Sequence, residues 1–142
     1  MPISEPGVDH YDISPDGQEL ALVADSDPTG VESNLDIYIM PTAGGVARNV
    51  TPDNPAPDFS PAYSPDGQWL AYSRRQIRGF YADRARLALY HRPSGNHPVL
   101  TEDFDRTVTG AIWAPDSSGL YAAVDDAGHY RIHRVDVPSG AV

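Results

Sequence analysis

The densest collection of side chains that could do chemistry is the stretch RRQIRGFYADR, where Arg74, Arg75, Arg78 and Arg84 stand among Phe80, Tyr81 and Asp83. A guanidinium is a planar fork of donors that fits a carboxylate, and an aspartate beside it could hold an α-ammonium. With aromatic faces close by, these groups could hold the two ends of a short peptide. Arg75, Arg78, Tyr81, Asp83 and Arg84 are therefore the candidate substrate-binding residues. The same composition would also suit a cluster of ion pairs that only fixes a loop.

Other chemistries find less support. His129 and His133 stand four apart, His91 and His97 flank a turn, and His10 lies near Asp12. A zinc site needs three or four converging ligands, and no third one occurs at a fitting spacing, so neither metal nor cofactor is expected. Glu102, Asp103 and Asp105, and the pair Asp125 and Asp126, could be read as a glycosidase acid and base. Aspartate is also common in exposed turns for backbone reasons, which is the reading preferred here. The chain has no cysteine, which excludes disulfides and thiolate catalysis and leaves the redox compartment open. It contains no Gly-x-Ser-x-Gly elbow, so no serine nucleophile and no catalytic residue is expected within these 142 residues. Asn49-Val50-Thr51 fits a glycosylation sequon but falls on an expected strand.

Twenty acidic residues against ten basic ones give a formal charge of -10, and no basic stripe is present, so nucleic acid and anionic membranes are poor partners. No run approaches the ~18 apolar residues needed to span a bilayer. The opening segment, MPISEPGVDHYD, lacks the basic and apolar regions of a signal peptide. A soluble protein of cytoplasm or periplasm is the expectation.

The elements that must position these residues are legible from a repeat. Ser14-Pro15-Asp16-Gly17 recurs fifty residues on as Ser64-Pro65-Asp66-Gly67, and again as Ala114-Pro115-Asp116-Ser117, with a glycine delayed to Gly119. Ile13, Tyr63 and Trp113 precede the phrase, Leu20, Leu70 and Leu120 follow it, and Val50-Thr51 matches Leu100-Thr101. Proline presets φ at the second turn position, aspartate bonds nearby amides and glycine accepts a positive φ, so the phrase closes a hairpin. In the third copy, Ser117 in place of glycine implies a longer loop ending at Gly119.

Short apolar runs between turns favour strands throughout. Four strands are expected in the first copy, at 8–13, 18–24, 35–40 and 47–50, and four in the second, at 59–63, 68–73, 86–90 and 98–100. The long loops at 25–34 and 74–85 contrast with a tight one at Asp125-Asp126-Ala127-Gly128. The third copy reaches its last turn, Val137-Pro138-Ser139-Gly140, with no fourth strand after it. The fold class is all-β: a partial β-propeller of two complete four-stranded blades and most of a third, with blades at 1–55, 56–105 and 106–142. Such rings close with 4 to 8 blades, so two blade faces are expected to lack cover and the isolated chain is expected to self-associate. One bulky residue per repeat at Ile13, Tyr63 and Trp113 suits packing between blades.

The phrases YSPDGQWLAYS and DIYIMPTAGGVARNVT resemble the WD40-like propeller repeat of TolB-type proteins, which also builds the propeller of prolyl oligopeptidase family serine peptidases. The segments GFYADR and LTEDFDRTVTGAIWAPDSSGLYA resemble the middle blades of dipeptidyl-peptidase-5-like members of that family. The resemblance covers nearly the whole chain. It implies a non-catalytic propeller portion that gates access and positions short peptides, its partners being the remaining blades and an α/β-hydrolase domain with a Ser-Asp-His triad. The alternative is a TolB-like protein-interaction module with no enzymatic parent.

Overall fold

In the computed structural model, residues 11–142 are described apart from positions 30 and 32. The strand expected at 8–13 is therefore seen only from Tyr11, and His10 lies outside the described residues. Among the described residues, ten strands and no helix form three antiparallel sheets. The first holds β1 (Tyr11–Ile13), β2 (Glu19–Asp25), β3 (Leu35–Pro41) and β4 (Arg48–Asn49) in chain order. The second holds β5 (Asp58–Tyr63), β6 (Trp69–Arg74) and β7 (Arg86–His91). The third holds β8 (Val108–Trp113), β9 (Gly119–Asp126) and β10 (His129–Asp136). No helix of the described residues is long and apolar enough to cross a membrane.

Strand alternation builds two cores from one central sheet. In β6, Leu70 and Tyr72 point to the first sheet and join Ala21, Val23, Ile37 and Ile39. Ala71 points the other way and, with Leu87 and Leu89 of β7, meets Leu120, Ala122, Val124 and Val135 of the third. Being covered on both faces, β6 and β7 are apolar almost throughout, as the runs WLAYS and LALY require. Tyr63 and Trp113 are buried between sheets, and the Trp113 indole donates to the Ala62 carbonyl at 2.9 Å. Ile13, third in that series, is half exposed, because no sheet of the described residues lies against it.

The repeated turn has the same backbone geometry in all three sheets. Gly17 and Gly67 have φ of 69°, and each amide donates to the carbonyl of Ser14 or Ser64, at 2.7 and 2.8 Å. Ser14 Oγ accepts from the Glu19 amide at 2.9 Å and donates to Asp16 at 2.6 Å, and Ser64 does the same with Trp69 and Asp66. The Ser14 hydroxyl first, then the Gln18 amide, holds the Asp16 carboxyl below the usual carboxylate range.

The third turn departs from expectation. Ser117 itself takes φ 60°, its amide donates to Ala114 at 2.9 Å, and the loop is no longer than the others. Serine accepts this costly conformation where its Oγ receives the Asp66 amide of the neighbouring turn at 3.0 Å. Gly119 is not a displaced turn glycine. A Cβ there would lie 2.7 Å from the Val135 carbonyl, so the position needs a residue without one.

The fourth strand expected at 98–100 is also reduced. It survives as a single bridge between Ala88 and Val99, flanked by the Leu100 amide on Leu87 at 2.8 Å. The reason is Pro98, which stands where the first sheet has Arg48 and has no amide to give a second rung. Thr51 and Thr101 extend these short edges, their hydroxyls accepting from the Ile37 and Leu87 amides at 3.0 and 2.9 Å. The tight loop expected near 125–128 is a two-residue hairpin turn at Ala127 and Gly128, both with positive φ, which matches the twist of the flanking strands.

Candidate functional site

The two long loops, after β2 and after β6, lie on one rim and enclose a cleft of about 140 Å³ between them. Val31 and Asn34 contribute from the first loop, Pro55 and Pro57 from the segment between sheets, and Arg75, Ile77, Arg78, Phe80 and Tyr81 from the second. Three of the five expected binding residues, Arg75, Arg78 and Tyr81, line it. Tyr81 is 81% exposed, and Phe80 and Ile77 are each about half exposed, so the apolar part of the wall is open.

Asp83 and Arg84 are placed otherwise. The Asp83 carboxylate is buried beneath the loop, where it accepts from the amides of Gln76 at 2.6 Å and Ile77 at 3.1 Å and meets Arg86 at 3.3 Å. Burial opposes its charge, but the two amides and Arg86 outweigh that and hold its carboxyl below the usual range. Arg84 turns toward the link into the third sheet and donates to the carbonyls of Thr101 at 3.2 Å, Phe104 at 2.5 Å and Glu102 at 2.5 Å. These two residues tie the loop to its own sheet and to the next.

Beneath the cleft lies a polar network with no signature in the sequence. Asn54, buried, donates to Asp58 at 2.9 Å, to the Ala56 carbonyl at 2.7 Å and to the Arg75 carbonyl at 2.9 Å, and accepts from Arg74 at 2.8 Å. Asn34 bridges the first loop to this knot through the Asn54 carbonyl at 3.3 Å and Asp36 at 3.2 Å. Asp58 is 0% exposed. Its burial pushes the carboxyl up to about 7, against the opposing pull of Thr51, Arg74 and Asn54. Alternating Asn, Asp and Pro between 51 and 58 looks like ordinary turn chemistry, so only the packing of two sheets reveals it as a core.

A second concavity, a groove of about 820 Å³, runs along the neighbouring strands β1, β5 and β8. Tyr11, Asp12, Ser60, Tyr63 and Gly110 are among its lining. Bulges occur fifty residues apart in β5 and β8, with Ser60 at φ 55° and Gly110 at φ 59°. Asp12 crosses between sheets to accept the Tyr63 amide at 2.7 Å.

The histidines do not converge. His91 stacks on Trp69 at 4.3 Å and meets Ser94 at 2.7 Å, His97 meets the Tyr72 hydroxyl at 3.1 Å, and His133 lies against Phe104 at 5.8 Å. Among the described residues no three potential ligands stand together as a metal site. Of the five carboxylates weighed as an acid and base, three are held in ion pairs or side-chain hydrogen bonds: Glu102 with Gln76 and Arg86, Asp105 with Arg106, and Asp126 with Arg106 and Arg131.

No protein-family model matches the chain. Dipeptidyl-peptidase 5 of Porphyromonas gingivalis is 29% identical over 140 residues, covering 96% of this chain and 20% of that protein. Dipeptidyl-peptidase 5 of Aspergillus fumigatus is 31% identical over 139 residues, covering 89% of this chain and 19% of that one. The chain thus spans about a fifth of the length of the curated relatives it matches. Among solved structures, a putative TolB from Agrobacterium tumefaciens superposes with a TM-score of 0.75 at 26% identity, over 93% of this chain and 43% of that one. A puromycin hydrolase superposes with a TM-score of 0.71 at 21% identity, over 92% of this chain and 22% of that one. With three antiparallel sheets packed face to face at a fifty-residue period, the chain is a partial β-propeller of the TolB-like kind, similar in sequence to one stretch of the dipeptidyl-peptidase 5 relatives.

Proposed function

We propose that the chain is the propeller portion of a prolyl oligopeptidase family serine peptidase, where it gates access and positions peptide substrates for an α/β-hydrolase domain. The observation that carries this reading is the likeness to dipeptidyl-peptidase 5 over nearly the whole chain. In this reading the blades run 1–55, 56–105 and 106–142. The groove along β1, β5 and β8 belongs to the passage through the ring, and its width sets the size of peptide admitted. The rim cleft holds part of the substrate through Arg75, Arg78 and Tyr81, while Asp83 and Arg84 act indirectly by fixing the loop.

The test is the protein encoded by the entire reading frame. It is expected to contain a Gly-x-Ser-x-Gly elbow and to release dipeptides from unblocked peptides. Tyr81→Ala should raise KM by roughly three- to tenfold with kcat little changed, because the side chain binds and does not react. A complete reading frame with no hydrolase domain would overturn this function. It would favour a TolB-like interaction module, to which the exposed apolar face of the third sheet lends support.

A further inference from the structure

The rim cleft contains a cation held ready for an anion. Arg75 is half-buried, its amide donates to the Pro57 carbonyl at 2.9 Å, and its carbonyl accepts from Asn54 at 2.9 Å, so the backbone is clamped on both sides. Its guanidinium lies over the Phe59 ring, 5.7 Å from the centroid, within reach of a cation–π contact. The Nε is buried and has no hydrogen-bond partner among the described residues. Most of the arginines nearby are engaged: Arg74 on Asn54, Arg84 on three carbonyls, Arg86 on Asp83. Among the described residues no carboxylate pairs with this half-buried guanidinium, a costly arrangement in a chain with twice as many acids as bases.

The space in front of Arg75 is small and of mixed lining, with Ile77, Phe80 and Pro57 as apolar walls beside polar Ser33 and Asn34. A cleft of about 140 Å³ is well below the roughly 300 Å³ at which sites for larger ligands begin, and it has room for one amino-acid residue. Phe80, Ile77 and Pro57 supply apolar contact beside the cation. A C-terminal residue carries a carboxylate and an apolar side chain on the same Cα. An internal glutamate or aspartate carries its carboxylate at the tip of the side chain, with no apolar group beside it.

We propose that this cleft is a binding site for the C-terminal residue of a short peptide, with Arg75 pairing the α-carboxylate and Phe80, Ile77 and Pro57 receiving an apolar side chain. The site rests on geometry and does not require a hydrolase domain. If the peptidase reading fails, binding is still expected, and if binding fails, gating by the groove is untouched.

The probe is N-acetyl-Gly-Phe, titrated as the free acid and as the amide into the 142-residue chain, read by NMR shifts of the amides from 75 to 81. The free acid is expected to bind at least about tenfold more tightly than the amide, the effect of one charge-assisted contact. Phe80→Ala, at an exposed position that leaves folding intact, should weaken the acid several-fold, and Arg75→Met should erase the preference for acid over amide. Equal binding of acid and amide to the native chain, or no binding of either, overturns the proposal without any variant. Equal binding of N-acetyl-Gly-Glu-Gly amide and the free acid would overturn the assignment to a C-terminal residue.

Discussion

Asp58 shows how much a single side chain can owe to its surroundings. By type and position it is one more acid in a turn-rich segment, yet packing of two sheets encloses it fully and raises its carboxyl to about 7, against an ordinary value of roughly 3.9. Between those values the folded chain keeps a proton that the unfolded chain has released, so this group's contribution to stability falls as pH rises through the window. Asp16, Asp83 and Asp116 act in the opposite sense, since their folded carboxyls are held below the usual range and their contribution is lost in acid. The difference between native protein and Asp58→Asn isolates the first effect. Urea unfolding should find the variant gaining on the native chain from pH 4 to 7, by on the order of 3 kcal/mol in all. A difference that stays constant with pH would mean that Asp58 titrates alike in the folded and unfolded chains. The aspartates of the repeated turns were readable from sequence, because their bonds are local. Asp58 was not, because its burial is made by residues far along the chain.

At the scale of the element, the repeated hairpin separates what a motif states from what its neighbours decide. The proline, aspartate and positive φ follow from turn chemistry alone, and two copies obey it. The third keeps the geometry with serine because the next turn's Asp66 amide needs an acceptor. Ser117→Ala should therefore lose both that bond and conformational ease, costing roughly 1–2 kcal/mol in chemical unfolding. Ser117→Gly, which loses only the bond, should cost less than half as much. If the loop were the longer one that the sequence suggests, alanine would be neutral. Gly119→Ala should cost at least about 1–3 kcal/mol, because a strand backbone stands where the new methyl must go. The same dependence on neighbours explains the reduced edge of the second sheet, where Pro98 removes one rung while Thr101 restores a bond from its side chain.

For the whole molecule, the central sheet is covered on both faces and the third on only one. Ile112, Tyr121, Tyr130 and Ile132 stand 71%, 45%, 82% and 70% exposed on the open face. Tyr121 is the counterpart of Ala71, which is buried in the second sheet against the third. A face that repeats a buried one should seek the same kind of cover, either a further blade or a second copy of the chain. Light scattering of the 142-residue chain is expected to show a concentration-dependent dimer or larger species. Ile132→Asp with Tyr121→Glu should return it to monomer with its strand signal intact. A native chain that stays monomeric at all concentrations would show that the face tolerates water.

Repetition is a property of the order of residues, so the sequence by itself determined most of the strands, the places of the hairpins, their fifty-residue period and the propeller they build. Local turn chemistry and strand alternation suffice for that, since each acts within a few residues. Contacts between sheets could be decided only by the tertiary structure. In the stretch RRQIRGFYADR it turned Asp83 and Arg84 inward to hold the loop, and it left Arg75 clamped, over the Phe59 ring and, among the described residues, without a partner at its Nε. The physical reason is that a charged side chain chooses its partner by distance in space, and that distance is fixed by the packing of blades.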